Sequence, residues 1–331
     1  MRRPLLSFRI HRSDIPQRSK LTYSLHSFTS GSETRMLHIL KNIRVMEFKQ
    51  GSVIYEEGDK ADGSLYFILA GRVNVFKTME GKPRQIDSLG EGNFFGEVGI
   101  LMDYPRTATV LAASASVRMA RITTESFLQE ASQNMKFALK MIGITIQRMA
   151  RIELKLQMVQ EPFTVDLESH PLKPIVIENR QKNMQIAEML HSLRSMVHFK
   201  GKKLYGEGDR DTGEMFMVLK GEVQLMHAFQ SQEVGFYPLY AGDFFGMSTL
   251  TGMQRRPYAA TVTAEHTSIC AFDKNLFSRV IQSDANLIFS IFRTFVAYST
   301  ILDEYMRKKG IENIEDGRIN KMEANIQDPE L

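Results

Sequence analysis

Most of the chain consists of short apolar runs separated by turns that contain glycine. Residues 64–69 are one such run, and residues 72–77 then alternate polar and apolar side chains. This period of two is typical of a strand with one buried face. Many short strands joined by glycine turns favour a β sandwich or barrel. Further short strands are predicted at 107–112 and 116–122, with a hairpin tip at 80–83.

Two long segments have helical spacing instead. Apolar residues recur every three or four positions in residues 135–160 and again in residues 286–309, which predicts amphipathic helices of several turns. Thr123 and Thr124 precede acidic and amide side chains, a pattern of a helix start. Three prolines lie in residues 161–174, so a linker is expected there. A short helix is predicted at 183–196.

The pattern occurs twice along the chain. Tyr55-Glu-Glu-Gly58-Asp59 recurs as Tyr205-Gly-Glu-Gly208-Asp209, and Gly92-Asn-Phe-Phe-Gly96 recurs as Gly242-Asp-Phe-Phe-Gly246, each 150 positions later. This period is too long for a solenoid and indicates two copies of one domain. The predicted organisation is a basic, disordered tail at 1–34, a first domain at 35–160, a linker at 161–182, a second domain at 183–309 and a polar tail at 310–331.

Charge and composition exclude several classes of protein. The formal net charge is +4, but residues 1–32 carry six basic residues and one acid, so the remaining chain is nearly neutral. Broad nucleic-acid binding is therefore not expected on charge grounds. No apolar stretch has the length of a membrane-spanning helix. The single cysteine, Cys270, lies in a predicted buried strand and is compatible with a reducing compartment, so we expect a cytoplasmic location.

Residues 92–109 carry the most specific chemistry. Gly96 lets the backbone approach a ligand closely, and Glu97 offers a carboxylate to hydroxyl donors. Residues 98–102 predict one helical turn, whose free N–H groups can face an anion. Arg106 precedes the small residues 107–108, and a guanidinium in this setting suits a phosphate oxygen. The pattern predicts a pocket for a small anionic ligand that carries a phosphate and a sugar.

This stretch resembles the phosphate-binding cassette of cyclic-nucleotide-binding domains. In that family, Phe-Gly-Glu and a few apolar residues are followed by a short loop and then by Arg with small residues. The match here is Phe95-Gly96-Glu97 and Arg106-Thr107-Ala108, with Gly99 where the family usually has Ala. The resemblance implies an α+β, mainly β fold of two β jelly-roll domains, each flanked by helices.

The resemblance also implies a role for each residue of the cassette. Glu97 should accept from the ribose 2′-hydroxyl, Arg106 should pair with the cyclic phosphate, and backbone N–H groups of residues 96–99 should donate. A hydroxyl residue directly after the Arg, here Thr107, often accompanies cGMP recognition, although other members with Ser or Thr bind cAMP. The sequence favours cAMP narrowly over cGMP. The predicted ligand-binding residues are Gly96, Glu97, Val98, Gly99, Arg106, Thr107 and Ala108, with no catalytic residue and no metal ligand.

The second copy lacks these groups when the prolines are aligned. Met247 then replaces the acid, and Tyr258 replaces the arginine. Loss of two charged hydrogen-bond partners weakens binding by roughly a thousandfold or more. This alignment makes the second loop two residues longer, and the loop contains Arg255 and Arg256, either of which could substitute. The second domain is predicted to be degenerate and to serve packing or partner contact.

Sequence motifs leave three functional classes. The chain has no nucleotide P-loop, no kinase signature and no metal-ligand spacing among its eight histidines, so an enzyme is not expected. Bacterial transcription regulators of the family place a helix-turn-helix after the long helix, whereas residue 160 leads into a linker and a second β domain. The tandem domains resemble the core of protein kinase A regulatory subunits. Those proteins carry a basic inhibitor segment before the first domain, and residues 2–7 resemble that segment only weakly.

The favoured prediction is a cyclic-nucleotide sensor that acts on an unidentified protein partner. Its moving part is predicted to be helix 135–160, which either closes over the base or forms a homodimer seam. Ligand would shift the population toward the state with this helix docked. A cyclic-nucleotide-responsive transcription regulator and a kinase regulatory-subunit-like inhibitor are the alternatives.

Overall fold

The computed structural model describes residues 44–308, except for residues 80, 103, 158–162, 192–194, 231, 251–252 and 284. In the first domain it contains eight strands, in two four-stranded antiparallel sheets. The strands are β1 Arg44–Lys49, β2 Val53–Tyr55, β3 Ser64–Ala70, β4 Arg72–Met79, β5 Lys82–Gly90, β6 Phe94–Phe95, β7 Thr109–Ala112 and β8 Ser116–Thr123. The sheet orders are β1-β8-β3-β6 and β2-β7-β4-β5.

The two sheets enclose an apolar core. Ile68 and Met119 from one sheet and Val73 and Val110 from the other are buried in one cluster. Buried residues alternate along β4 and β7, so that one face of each of these strands is buried, as a period of two requires. In β3, by contrast, residues 64–68 are all buried. The mainly β jelly-roll architecture that the resemblance implied is therefore confirmed.

The second domain repeats this arrangement. Its strands are β9 Ser195–His198, β10 Lys203–Tyr205, β11 Glu214–Lys220, β12 Glu222–Phe229, β13 Gln232–Tyr240, β14 Phe244–Phe245, β15 Ala259–Val262 and β16 Thr267–Asp273. Their orders, β14-β11-β16-β9 and β10-β15-β12-β13, match those of the first domain strand for strand. Cys270 on β16 is fully buried.

Helices stand at the ends of both barrels. They are α1 Glu97–Met102, α2 Thr124–Gln133, α3 Met135–Gln157, α4 Lys173–His191, α5 Lys274–Ser283 and α6 Ala285–Lys308, with a 3₁₀ turn at Met247–Leu250. The predicted start of α2 is confirmed, because the Thr123 hydroxyl accepts from the Ser126 N–H at 3.2 Å and so satisfies a free donor of the first turn. No helix in the described part of the chain is long and apolar enough to cross a membrane.

The helix before the second domain differs from the prediction. It begins at Lys173, inside the range predicted as linker 161–182, and ends at His191 rather than at 196. Pro174 is its second residue, where the missing N–H of proline costs no helical hydrogen bond. Proline suits the first turn of a helix as well as a linker, so that proline content alone does not distinguish the two. The predicted tails at 1–34 and 310–331 lie outside the described residues.

The two long helices, α3 and α6, pack against each other and join the domains. Helix α6 also packs against α1 and α2 of the first domain, and α3 packs against the 3₁₀ turn of the second. Phe292 on α6 stacks on Phe127 of α2, with ring centroids 5.4 Å apart, and meets the edge of Phe94 at 6.1 Å. Each long helix therefore contacts both domains.

The homodimer seam predicted on helix 135–160 stays a prediction, because the partner that the structure shows for α3 lies within the chain. The buried residues of α3, among them Met141, Ile142 and Ile146, belong to the same apolar cluster as Phe292 and Phe295 of α6. The buried apolar residues of α3 that the structure describes, between Phe137 and Met149, are thus covered within the chain. The periodicity identified a face that needs a partner helix, but it could not tell a second copy of the chain from a second domain of the same chain.

Candidate functional site

Arg106 lies at the centre of the first cassette. The loop that carries it is fixed by two backbone bonds, from the Gly58 N–H to the Arg106 carbonyl at 2.8 Å and from the Arg106 N–H to the Asp59 carbonyl at 2.9 Å. Arg106 is 4% exposed. Its guanidinium donates to the Gly96 carbonyl at 3.0 Å and to the Ser64 carbonyl at 2.9 Å. These bonds set the orientation of the guanidinium.

Two further side chains hold the guanidinium. Asp62 lies 2.6 Å from Arg106 Nη2 and also pairs with Arg121 at 2.9 Å. The Tyr55 ring lies 4.4 Å from the Arg106 guanidinium carbon, within cation–π range. Burial raises the pKa of Tyr55, so the ring remains neutral and serves as a polarisable surface. Arg106 is therefore an ordered cation with one carboxylate partner.

Glu97 is the first residue of α1 and connects the cassette to α3. Its carboxylate accepts from Arg148 Nη1 at 3.0 Å, and the two side chains are 17% and 23% exposed. Arg148 also donates to the Phe94 carbonyl, and its guanidinium carbon lies 4.5 Å from the centre of the Phe94 ring. Any group that donates a hydrogen bond to the Glu97 carboxylate therefore competes with Arg148, a residue of α3.

Glycines 96 and 99 leave room for Arg106. Gly96 has φ +81°, and a Cβ there would lie 2.6 Å from Arg106 Nη1. A Cβ on Gly99 would lie 3.1 Å from the same atom and 3.0 Å from the Ala61 Cβ. The departure from the family's usual Ala at position 99 therefore has a steric reason, since Arg106 and Ala61 occupy the space.

Replacement of Gly96 by Ala is expected to destabilise the fold by about 2–4 kcal/mol, since it adds an overpacked contact to the cost of a left-handed Cβ-bearing residue. Gly58→Ala is the matched control, because Gly58 has φ +86° with nothing within 4 Å of its Cβ position. It should cost only about 1–2 kcal/mol. Urea unfolding of both variants measures the difference, and equal losses would contradict the assigned contact with Arg106.

The remaining predicted residues surround this pair. Val98 and Ala108 are each 8% exposed, and Thr107 is half-buried. Thr109, on β7, accepts from the Glu57 N–H at 2.9 Å and so fixes the strand that follows. All seven predicted positions thus belong to one cassette, which runs from β6 through α1 to β7.

The second domain retains the arginine, contrary to the sequence alignment. Arg256, not Tyr258, stands where Arg106 does. The Arg256 N–H donates to the Asp209 carbonyl at 2.8 Å, and the Gly208 N–H donates to the Arg256 carbonyl at 2.9 Å. Its guanidinium donates to the Gly246 carbonyl at 2.9 Å and to the Glu214 carbonyl at 2.7 Å. The two loops have equal length, and the proposed two-residue insertion does not exist.

The contacts of Arg256 also repeat those of Arg106. Asp211 lies 3.3 Å from the Arg256 Nη2, and the centre of the Tyr205 ring lies 4.7 Å from the guanidinium carbon. Gly246 and Arg256 are separated by ten positions, as are Gly96 and Arg106. The prolines at 105 and 257 suggested a different alignment, but the backbone bonds define the true one.

The second cassette nevertheless differs from the first at two positions. Met247, the counterpart of Glu97, is 1% exposed, and Tyr258, the counterpart of Ala108, is 4% exposed. Tyr258 packs edge-on against Phe236, with centroids 5.8 Å apart. Both residues, together with Met149 of α3, line a crevice with a volume of about 30 Å³. Buried, uncharged side chains therefore stand where the first cassette has Glu97 and Ala108.

Sequence reasoning missed Asp62, Tyr55 and Arg148. Tyr55 and its repeat at 205 carried a weak signal, because both precede the Glu-Gly-Asp turn. Arg148 carried no such signal, because it lies 51 positions from Glu97 on a helix that the sequence identifies only by its apolar spacing. Within the described residues, no group of His, Cys, Asp and Glu could hold a metal ion.

Comparison with known proteins agrees with this geometry. The cyclic nucleotide-binding domain family matches residues 45–134 and 198–284. A cAMP-dependent protein kinase regulatory subunit of Debaryomyces hansenii is 26% identical over 246 residues, which cover 73% of this chain and 46% of the yeast protein. Human cGMP-dependent protein kinase 2 is 34% identical over 100 residues, 29% of this chain and 13% of the kinase. The chain thus spans about half, or less, of the length of these relatives.

A solved structure described as the regulatory domain of Toxoplasma gondii PKA with cAMP aligns over 86% of this chain and 92% of its own, at 16% identity and a TM-score of 0.28. The two family matches fall on the two barrels described above and together cover more than half of the chain. The chain belongs to the cyclic nucleotide-binding domain family.

Proposed function

We propose that the first domain binds one cyclic purine nucleotide, with cAMP favoured over cGMP, and that the second domain binds none. The observation that carries the proposal is the pairing of Arg106 and Glu97 around Gly96, against Arg256 and Met247 in the second cassette. A cyclic nucleotide offers one anionic phosphodiester and one free ribose hydroxyl. It needs one ordered cation and one ionised acceptor, which only the first cassette supplies.

Arg106 serves the phosphate in this proposal. A guanidinium has five N–H donors in a planar fork, so it can keep Asp62 and still donate to a phosphate oxygen. The carbonyls of Gly96 and Ser64 hold the fork in place before ligand arrives. Such preorganisation reduces the ordering cost of binding.

Glu97 serves the ribose 2′-hydroxyl. Arg148 donates to the carboxylate at 3.0 Å, and the carboxylate remains an acceptor with free lone pairs. A hydroxyl that donates to Glu97 weakens or redirects the bond from Arg148, and Arg148 belongs to α3. The proposed signal is a change in the position of α3, and through it of the surface presented to a protein partner. Residues 135–160 thus remain the proposed moving part.

Thr107 is the proposed selectivity residue. Its hydroxyl would bond the guanine edge of cGMP, so Thr107→Ala is expected to lower cGMP affinity about tenfold, the equivalent of one lost hydrogen bond. The affinity for cAMP should change little, and Thr107→Ser should leave both affinities near those of the natural protein. Titration calorimetry with each nucleotide measures the ratio. An equal loss for both ligands in Thr107→Ala would refute this role.

Calorimetric titration of the full chain with cAMP and with cGMP tests the proposal as a whole. One molecule bound per chain is the expected result. Two molecules per chain would mean that Arg256 supports a second site despite Met247 and Tyr258. No detectable binding of either nucleotide would overturn the proposal and leave a structural role for both domains.

A kinase regulatory subunit is the second candidate function. It is favoured by the yeast regulatory subunit, whose similarity extends across both domains and 73% of this chain. The test is inhibition of a purified protein kinase A catalytic subunit by the full chain, with and without cAMP. Inhibition that cAMP relieves would establish it, and an unaffected kinase would leave a sensor with another partner.

A further inference from the structure

Helix α4 carries two buried asparagines, one helical turn apart, whose hydrogen bonding differs. Asn183 is fully buried, and its Nδ2 donates to the Gly242 carbonyl at 3.0 Å and to the Thr294 hydroxyl at 3.1 Å. Its Oδ1 accepts from the Ser290 hydroxyl at 2.8 Å. Asn179 is 1% exposed, yet neither its Oδ1 nor its Nδ2 has a hydrogen-bond partner in the part of the chain that the structure describes.

The side-chain amide of Asn179 is unfavourable without a partner. A buried donor or acceptor gives up its hydrogen bonds to water on folding, and this loss is large when no new bond replaces them. Most buried polar groups in folded proteins are therefore paired, either with the protein or with a bound molecule such as ordered water. Asn183, on the same face of the helix, shows that the protein can pair a buried amide here. Asn179 thus indicates a partner that is not a protein group.

Asn179 lines the crevice beside the second cassette, between α3, α4, α6 and the second barrel. Three other side chains of this lining carry polar atoms, namely Tyr237 and Asp243 of the barrel and Thr294 of α6. A bound water molecule needs about two to four polar partners. Asn179 alone supplies a donor and an acceptor, and the other three residues add groups from two further elements.

The size and charge of the crevice limit what it can hold. Its volume is about 30 Å³, and a water molecule needs at least about 10–15 Å³, so there is room for one or two waters. Asp243 is already paired, because both of its carboxylate oxygens accept from Arg180 Nε, at 2.9 and 2.8 Å. No unmatched charge is left for an ion. The crevice therefore suits a small neutral molecule that both donates and accepts hydrogen bonds.

We propose that the crevice is a binding site for one or two ordered water molecules, which pair with Asn179 and connect α4 to the second barrel. A water molecule matches both ends of the amide, since it can accept from Nδ2 and donate to Oδ1. Such bridges are enthalpically nearly as good as direct hydrogen bonds. Met149 of α3 also lines the crevice, so the water site lies where the proposed moving helix meets the second domain.

Oxygen-17 relaxation dispersion of the solvent tests the site, because it counts the waters that leave the protein more slowly than the protein tumbles. Asn179→Leu removes both hydrogen-bonding atoms at similar side-chain size, and it is expected to lower the count by one or two. The matched control is Gln181→Leu, on the exposed side of the same helix, which should leave the count unchanged. An unchanged count in Asn179→Leu, or an equal fall in both variants, would overturn the proposal.

A high-resolution crystal structure of the natural chain gives a second test that needs no variant and so holds even if Asn179→Leu does not fold. Density for a water within about 2.7–3.2 Å of an Asn179 amide atom is expected. A dry crevice, or an Asn179 side chain bonded directly to the protein, would contradict the water site. Both measurements use the protein without nucleotide, so their outcome does not depend on the proposed function of the first domain.

Discussion

Replacement of Arg106 by Leu is expected to remove nucleotide binding from the protein. A charge-assisted hydrogen bond contributes about 1.5–3 kcal/mol, which alone corresponds to about a ten- to hundredfold loss of affinity. The loss should exceed this range, because Asp62, which pairs with Arg106 at 2.6 Å and with Arg121 at 2.9 Å, would then repel the phosphate with only Arg121 left to offset its charge. Calorimetric titration with cAMP and cGMP measures the effect.

Arg256→Leu is the control for this experiment. Arg256 makes the same kinds of contacts in its own barrel, to the Gly246 and Glu214 carbonyls, to Asp211 and to the Tyr205 ring. Its loss should therefore cost a similar amount of folding stability without weakening the nucleotide affinity. Equal affinity losses in the two variants would show that the arginines act through stability alone. A fall from two bound molecules to one in Arg256→Leu would reveal a second live site.

Phe292→Ala is expected to cause a large loss of stability, about 3–5 kcal/mol for a fully buried aromatic residue. Phe292 is 0% exposed and stacks on Phe127 of the first domain. Its removal leaves a cavity between the domains rather than within one of them. We therefore expect urea unfolding to separate into two transitions, one for each barrel, and hydrogen exchange in α1 and α2 to rise.

Phe277→Ala distinguishes this effect from ordinary core damage. Phe277, on α5, is 1% exposed and stacks on Phe272 within the second domain. It should cost a comparable free energy of unfolding, but exchange in α1 and α2 should not change. If both variants raise exchange in the first domain equally, or if Phe292→Ala keeps a single transition, the domains are not joined through this stack.

The sequence predicted those parts of the fold that depend on local order. Alternation in residues 72–77 predicted β4, the Thr123 cap predicted the start of α2, and helical spacing predicted α3 and α6 to within a few residues. The 150-residue repeat predicted two domains of one fold. These signals are local or periodic, and a single chain displays them directly.

The features that sequence reasoning missed depend on contacts between distant segments. The prolines at 105 and 257 suggest Tyr258 as the counterpart of Arg106, whereas the constant offset of 150 residues gives Arg256. The backbone bonds of Arg256 to Gly208 and Asp209 show that the offset is right. The bond from Arg148 to Glu97 joins residues 51 positions apart. The seam on α3 was recognised as apolar, but only the packing of α6 identifies its partner. Side-chain pairing across elements has no period that a single sequence could reveal.

Under the proposed function, Tyr258 sets the shape of the dose–response curve. If its buried ring keeps nucleotide out of the second barrel, each chain takes up ligand at one position, and occupancy follows a hyperbola with a Hill coefficient of one. Occupancy then needs a change of about 80-fold in nucleotide concentration to rise from one tenth to nine tenths, since a Hill coefficient above one requires at least two coupled sites. Such a protein reports concentration gradually over nearly two decades and is unsuited to a sharp threshold.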